Sequence, residues 1–182
     1  MKFIPLKIPE TVLIEPDVYS DQRGFFMETW RDDEFNKYVA DLSFVQDNHS
    51  GSTQGTLRGL HYQIKHPQGK LVRVISGEVF DVAVDLRKSS TTFGQWTGAI
   101  LSAENKLILW VPPGFAHGFY VISHEAEFLY KCTDYYKPEH ERSIKWNDPT
   151  INIQWPLLPG TIPVLSEKDE NGIPFEKAEV FE

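Results

Sequence analysis

Two histidines, a lysine and a tyrosine in this sequence have the types and spacings to move a proton off carbon. They fall in the runs Gly55-x5-His61-x-Gln63, Lys70-x6-Gly77, Pro112-Pro113-Gly114-Phe115-Ala116-His117 and Phe128-Leu129-Tyr130-Lys131-Cys132. An imidazole titrates near neutrality, so His61 can accept a carbon-bound proton once an adjacent carbonyl has lowered the barrier to its removal. The ammonium of Lys70 would stabilise the resulting enolate oxygen, a preorganised electrostatic effect worth a few kcal/mol. Tyr130 alternates with Phe128 and Cys132, which puts it on an inward strand face from which it could return a proton from the opposite side. A core tyrosine bonded to backbone reads equally well at that position. Asp169 could accept the other ring proton of His61, although Glu170-Asn171-Gly172 after it reads locally as a turn.

Such residues need rigid elements, and the dominant pattern is short runs of alternating or β-branched residues separated by Gly, Pro, Asn and Ser. Between Lys70 and Leu86, a Ser76-Gly77-Glu78 turn joins Leu71–Ile75 to Val79–Leu86, which predicts a hairpin with Phe80, Val82, Val84 and Leu86 on one apolar face. Further strands are expected at Trp96–Leu101, Leu107–Val111, Phe119–Ile122, Glu125–Thr133 and Ser143–Trp146. Phe35, Tyr38, Val39 and Leu42 fall at helical spacing after Asp32 and predict one short amphipathic helix. The Pro- and Gly-containing tail from Trp155 is expected to wrap the surface without regular elements. Many short strands in a chain of 182 residues imply an all-β sandwich or barrel and one domain.

The spacings resemble the two motifs of cupin barrels, a jelly-roll double-stranded β-helix, with the core barrel expected over roughly residues 45–150. Two metal-ligand positions differ from that pattern. Gln63 replaces the second histidine, and Lys70 replaces the acidic ligand, where an ammonium repels a divalent cation. No metal site is expected.

Longer runs carry a closer resemblance, notably Asp21–Phe26, Phe44–Ser50, Leu57–Gln63, Gln68–Arg73, Gly77–Asp85, Pro112–Phe119 and Glu127–Lys131. Together they resemble the dTDP-4-dehydrorhamnose 3,5-epimerase family over nearly the whole chain. The resemblance implies His61 as base, Asp169 as its partner, Lys70 beside the enolate oxygen and Tyr130 as opposite-face acid. It implies that His117 holds the sugar and that Arg23, Arg58 and Lys168 grip the phosphates. Glu28, Gln46, Asn48 and Glu141 would make polar contacts and Tyr136 would stack on thymine. It further implies a dTDP-linked 4-keto-6-deoxy sugar as substrate, no cofactor, and a homodimer in which the N-terminal strand packs on the neighbouring subunit, so that Arg23 and Glu28 serve the partner's pocket.

Composition bounds the alternatives. A net charge of −8 excludes a general nucleic-acid-coating role. The single cysteine, Cys132, the absence of an apolar N-terminal run and the absence of a segment of transmembrane length imply a cytoplasmic protein with no membrane association. Rival readings are an epimerase acting at C3 or C5 alone, a non-catalytic sugar-nucleotide-binding barrel, and a metal-dependent oxygenase, the last opposed by Gln63 and Lys70.

Overall fold

The structure is a computed structural model and describes residues 1–182. Strands β1 (Lys2–Pro5) and β2 (Val12–Glu15) open the chain. They are followed by a protruding hairpin of β3 (Val18–Asp21) and β4 (Gly24–Met27) and by helix α1 (Asp32–Tyr38). Then come β5 (Gln46–Thr53), β6 (Leu57–Gln63), β7 (Lys70–Ser76), β8 (Glu78–Asp85), β9 (Trp96–Ser102), β10 (Ile108–Val111), β11 (Phe115–Val121), β12 (Glu125–Cys132) and β13 (Glu141–Ser143). The tail carries a short helix, α2 (Glu167–Glu170), and a 3-10 turn at Phe175–Lys177.

Two antiparallel sheets face each other, one of six strands in the order β1-β2-β10-β7-β12-β5 and one of five in the order β13-β6-β11-β8-β9. The fold is the all-β barrel that the strand pattern predicts, with the expected strands reproduced to within a few residues at most ends.

Strand alternation divides the apolar residues among three cores. Between the sheets lie Val72, Val74, Val79, Ala83, Leu109, Phe119 and Phe128. Val82, Val84, Leu86, Ala116 and Leu60 point outward from the five-stranded sheet and are covered by the tail, through Ile151, Trp155, Phe175 and Phe181. Outside the six-stranded sheet, Phe35 of α1 packs with Trp30 and Phe44 over Trp110.

The predicted hairpin between β7 and β8 does not form, because β7 pairs with β10 and β12 while β8 pairs with β11 and β9. Gly77 instead turns the chain from one sheet to the other at φ +75°, where a Cβ would lie 1.9 Å from the Glu125 carbonyl oxygen. The apolar face of β8 therefore packs under the tail, while Val79, Asp81 and Ala83 face the barrel interior.

Three other local expectations need correction. The helix stops at Tyr38, leaving Val39 to pack from the turn that caps it and Leu42 from the irregular chain beyond. The tail is more ordered than its composition implied, with α2 and single bridges at Thr56–Val164, Ile144–Ile173 and Arg87–Phe181. β13 stops at Ser143 rather than continuing to Trp146.

Candidate active site

A cavity of about 390 Å³ opens between the sheets above the apolar barrel core. The five-stranded sheet contributes His61 and His117, paired directly across β6 and β11. The six-stranded sheet contributes Lys70 and Tyr130, which alternate with the buried core residues Val72 and Phe128.

His61 and Asp169 meet despite their separation in sequence, with Nε2 donating to Oδ1 at 2.6 Å. The neighbouring backbone N–H of Gly59 also donates to that oxygen, at 2.9 Å, and Ser166 Oγ donates to Oδ2 at 2.5 Å. Ser166 and Asp169 form a reciprocal capping box on α2, so the turn expected from local sequence is a helix start that aims a carboxylate into the barrel. Gly59 also lets β6 lie close against β11, since a Cβ there would lie 2.6 Å from Gly118 Cα.

Burial by itself would raise the Asp169 carboxyl, but the hydrogen bonds from His61, Ser166 and Gly59 outweigh it and hold the group at about 2. The carboxylate stays ionised, fixes the Nε2–H tautomer and leaves Nδ1 as the nitrogen able to accept a proton. Burial pushes the His61 pKa down, assisted by Lys168 and Lys70 and opposed by Asp169.

Burial also lowers the pKa of Lys70, whose ammonium has no protein hydrogen-bond acceptor and lines the cavity. The Tyr130 hydroxyl is likewise unpaired by protein, and burial raises its pKa, which keeps it protonated as an acid must be. The alternative of a core tyrosine bonded to backbone does not hold in this geometry. His117 is buried, and its Nε2 lies 2.9 and 3.0 Å from the two oxygens of fully buried Asp81. Asp81 is a site residue that residue-type reasoning missed. Its signal was a carboxylate on the inward phase of β8, between Val79 and Ala83.

Toward the mouth, Tyr136 and Lys168 both donate to Glu141, at 2.9 and 2.8 Å. Gln46 accepts from the Tyr136 backbone N–H at 2.9 Å and donates to Asn48 Oδ1 at 3.0 Å. Arg58 also lines this space, tethered to Ser52 Oγ at 3.1 Å. Eleven of the thirteen expected site residues thus converge on one cavity. Arg23 and Glu28 do not: Arg23 lies on the protruding hairpin, paired with Asp21 at 2.6 Å, and Glu28 lies just beyond that hairpin.

These donors do not fit a divalent ion. His61 Nε2 is committed to Asp169, and the Gln63 carboxamide is spent on the backbone of His66, Tyr135 and Lys137. Lys70 brings positive charge, and no cluster of three His, Cys, Asp or Glu side chains is placed to ligate a metal.

Fold and site together define a cupin-type barrel whose cavity holds His61 and Tyr130 on opposing sheets, an arrangement able to exchange protons with a ligand from two sides. The family model described as dTDP-4-dehydrorhamnose 3,5-epimerase matches residues 5–177. A relative of that name from Pseudomonas aeruginosa is 58% identical over 182 residues, covering 100% of this chain and 99% of the relative. One from Neisseria gonorrhoeae is 57% identical over 179 residues, covering 98% of this chain but 54% of the relative, so this chain spans about half the length of that protein. Among solved structures, a dTDP-6-deoxy-D-glucose-3,5-epimerase from Legionella pneumophila, in complex with dTDP-4-keto-L-rhamnose, superposes with a TM-score of 0.94 at 52% identity, covering 98% of this chain and 94% of that one. This chain belongs to the dTDP-4-dehydrorhamnose 3,5-epimerase family.

Proposed function

We propose that residues 1–182 work as one cupin-type epimerase domain. It inverts C3 and C5 of dTDP-4-dehydro-6-deoxy-D-glucose to give dTDP-4-dehydro-L-rhamnose, in dTDP-L-rhamnose biosynthesis. The observation that carries this reading is the placement of His61 on one sheet, opposite Tyr130 and an unengaged Lys70 on the other, with all three lining one cavity. Both inverted carbons flank the C4 ketone, so one enolate oxygen and one lysine serve either centre. His61 Nδ1 takes the α-proton, the electron pair moves onto the C4 oxygen beside Lys70, and Tyr130 delivers a proton to the other face of the carbon. Asp169 holds the imidazole and stabilises the imidazolium without itself taking the proton. The reaction is redox-neutral, so the proposal includes no cofactor.

His117, fixed by Asp81, holds the sugar. Arg58 and Lys168 meet the diphosphate, since guanidinium and ammonium donors suit phosphate oxygens. Tyr136 stacks on the thymine, with Gln46, Asn48 and Glu141 supplying polar contacts.

Arg23 and Glu28 are assigned to the pocket of a second copy in a homodimer. That assignment is supported by a hairpin that joins neither large sheet and carries Phe25 and Phe26 at 61% and 71% exposure. Cytoplasmic residence is in keeping with one buried, unpaired thiol, and no helix is long and apolar enough to cross a membrane.

Incubation with substrate in deuterated water tests the reading by NMR. Label at both C3 and C5 is expected. Label at one carbon alone refutes the double inversion in favour of a single-centre enzyme, and no label with dTDP-sugar still bound would make the barrel a binding module. His61→Asn should abolish exchange while sparing dTDP binding; undiminished exchange removes His61 from the mechanism.

A further inference from the structure

The inner end of the cavity differs in chemistry from its mouth. Phe119 and Phe128 stack there with ring centroids 4.3 Å apart and planes 15° from parallel. They are 5% and 1% exposed, yet both line the cavity. Each lies two residues along its strand from a polar group of the site, Phe119 from His117 and Phe128 from Tyr130, so strand alternation sets the pair one rung deeper on the same inward face. Asp81, opposite Phe119 in register, is already engaged by His117. The floor is therefore mainly aromatic, with the Ser50 hydroxyl beside Phe128 as its polar neighbour, whereas the walls above it are crowded with donors and acceptors.

We propose that the Phe119–Phe128 floor seats the C6 methyl of the sugar and makes the enzyme specific for 6-deoxy sugars. This rests on the epimerase reading above. The diphosphate must lie toward Arg58 and Lys168, so the sugar enters with its anomeric carbon outward. Every other substituent of the ring is a hydroxyl, a ketone or an ether oxygen. The methyl is the one group that gains by leaving water for two phenyl rings. A hydroxymethyl in its place would set a hydroxyl against the two phenyl rings, at a desolvation cost that the methyl avoids.

The distinction also protects the chemistry. A hydroxyl on C6 is β to the carbanion formed at C5, so the enolate pair could form a C5=C6 bond as the C6–O bond breaks, with the oxygen leaving as water once protonated. The phenyl rings that face C6 supply no proton for that departure.

The test compares dTDP-4-keto-6-deoxyglucose with dTDP-4-keto-xylose, which keeps the ketone, the C3 hydrogen and the nucleotide but lacks C6. In wild type, kcat/KM for deuterium exchange at C3 should be lower for the pentose by roughly 10- to 100-fold, the range for one missing methyl in an apolar pocket. Phe119→Leu and Phe128→Leu should shrink that ratio to within about 3-fold, with dTDP affinity, set at the cavity mouth, reporting that each variant is folded. Equal kcat/KM for the two sugars in wild type overturns the proposal without needing any variant. A full ratio surviving in both leucine variants that bind dTDP overturns it too. Exchange with neither sugar would overturn the epimerase reading, and the methyl seat with it.

Discussion

His61 can act as a base only while its free nitrogen is Nδ1 and its ring is neutral; Asp169 sets the first condition, and burial secures the second against the pull of Asp169. Replacing that carboxylate with an amide keeps the shape but can hold the wrong tautomer. Asp169→Asn should therefore lower kcat/KM by roughly 10²- to 10⁴-fold in steady-state assays, with dTDP affinity little changed. Burial pushes the imidazole below its ordinary value of 6.5, so the neutral base persists into mild acid. The acid limb of kcat/KM should accordingly have its midpoint below pH 6.5; a midpoint above that value would mean that the barrel does not desolvate the ring as described. The same contacts affect stability. Asp169 sits at about 2 when folded against an ordinary 3.8, so its contribution is complete above pH 3.8 and disappears as pH falls through about 2. It amounts to about 2 kcal/mol. Urea unfolding should show wild type losing its advantage over Asp169→Asn between pH 4 and 2.

At the scale of the element, the link between β7 and β8 decides whether Lys70 and His117 face each other, because Gly77 carries the chain from the sheet that bears Lys70 to the one that bears His117. Gly77→Ala forces a Cβ against the Glu125 carbonyl in a backbone region that disfavours side chains. It should cost roughly 2–4 kcal/mol, read as a lower urea midpoint with an unchanged slope. The residues around this corner also mark the limit of what strand pattern reveals. Alternation identified β8 and its apolar face, but a Ser-Gly-Glu turn looks the same whether it closes a hairpin or crosses between sheets, since only the pairing partners distinguish them. β5 was less legible as a strand. Its inward residues Gln46, Asn48 and Ser50 are polar because they line the cavity, and its outward residues are polar because they meet solvent, so hydrophobic periodicity vanishes where the site is built. Asp169 was hidden for another reason: its partner lies 108 residues away, and only its own capping box was local. His61, Lys70 and His117 could be read directly because fixed spacing along inward-facing strands is what places them.

On the scale of the whole molecule, the two sheets, the tail that covers one of them and the N-terminal segment that covers the other account for most of the large apolar side chains, but not for the β3–β4 hairpin. Its aromatic residues are exposed, and Arg23 is turned toward its own neighbour Asp21. β5 meanwhile forms a free edge of the six-stranded sheet beside the cavity mouth, a strand edge of the kind that chains cover or pair. A hairpin that completes a second copy's pocket would explain both features and can be tested by complementation. Arg23→Ala carries a defective hairpin on an intact barrel, and His61→Asn an intact hairpin on a defective barrel, so each alone should be nearly inactive. If sites are shared, mixing and re-equilibrating the two pairs the good hairpin with the good barrel in half of the dimers, one site each. About a quarter of wild-type turnover should then return. Light scattering should show dimers throughout, and Phe25→Asp together with Phe26→Asp should yield monomers with weakened turnover. No recovery in a mixture shown to contain mixed dimers would mean that Arg23 serves its own chain or none, and that the site is complete within one subunit.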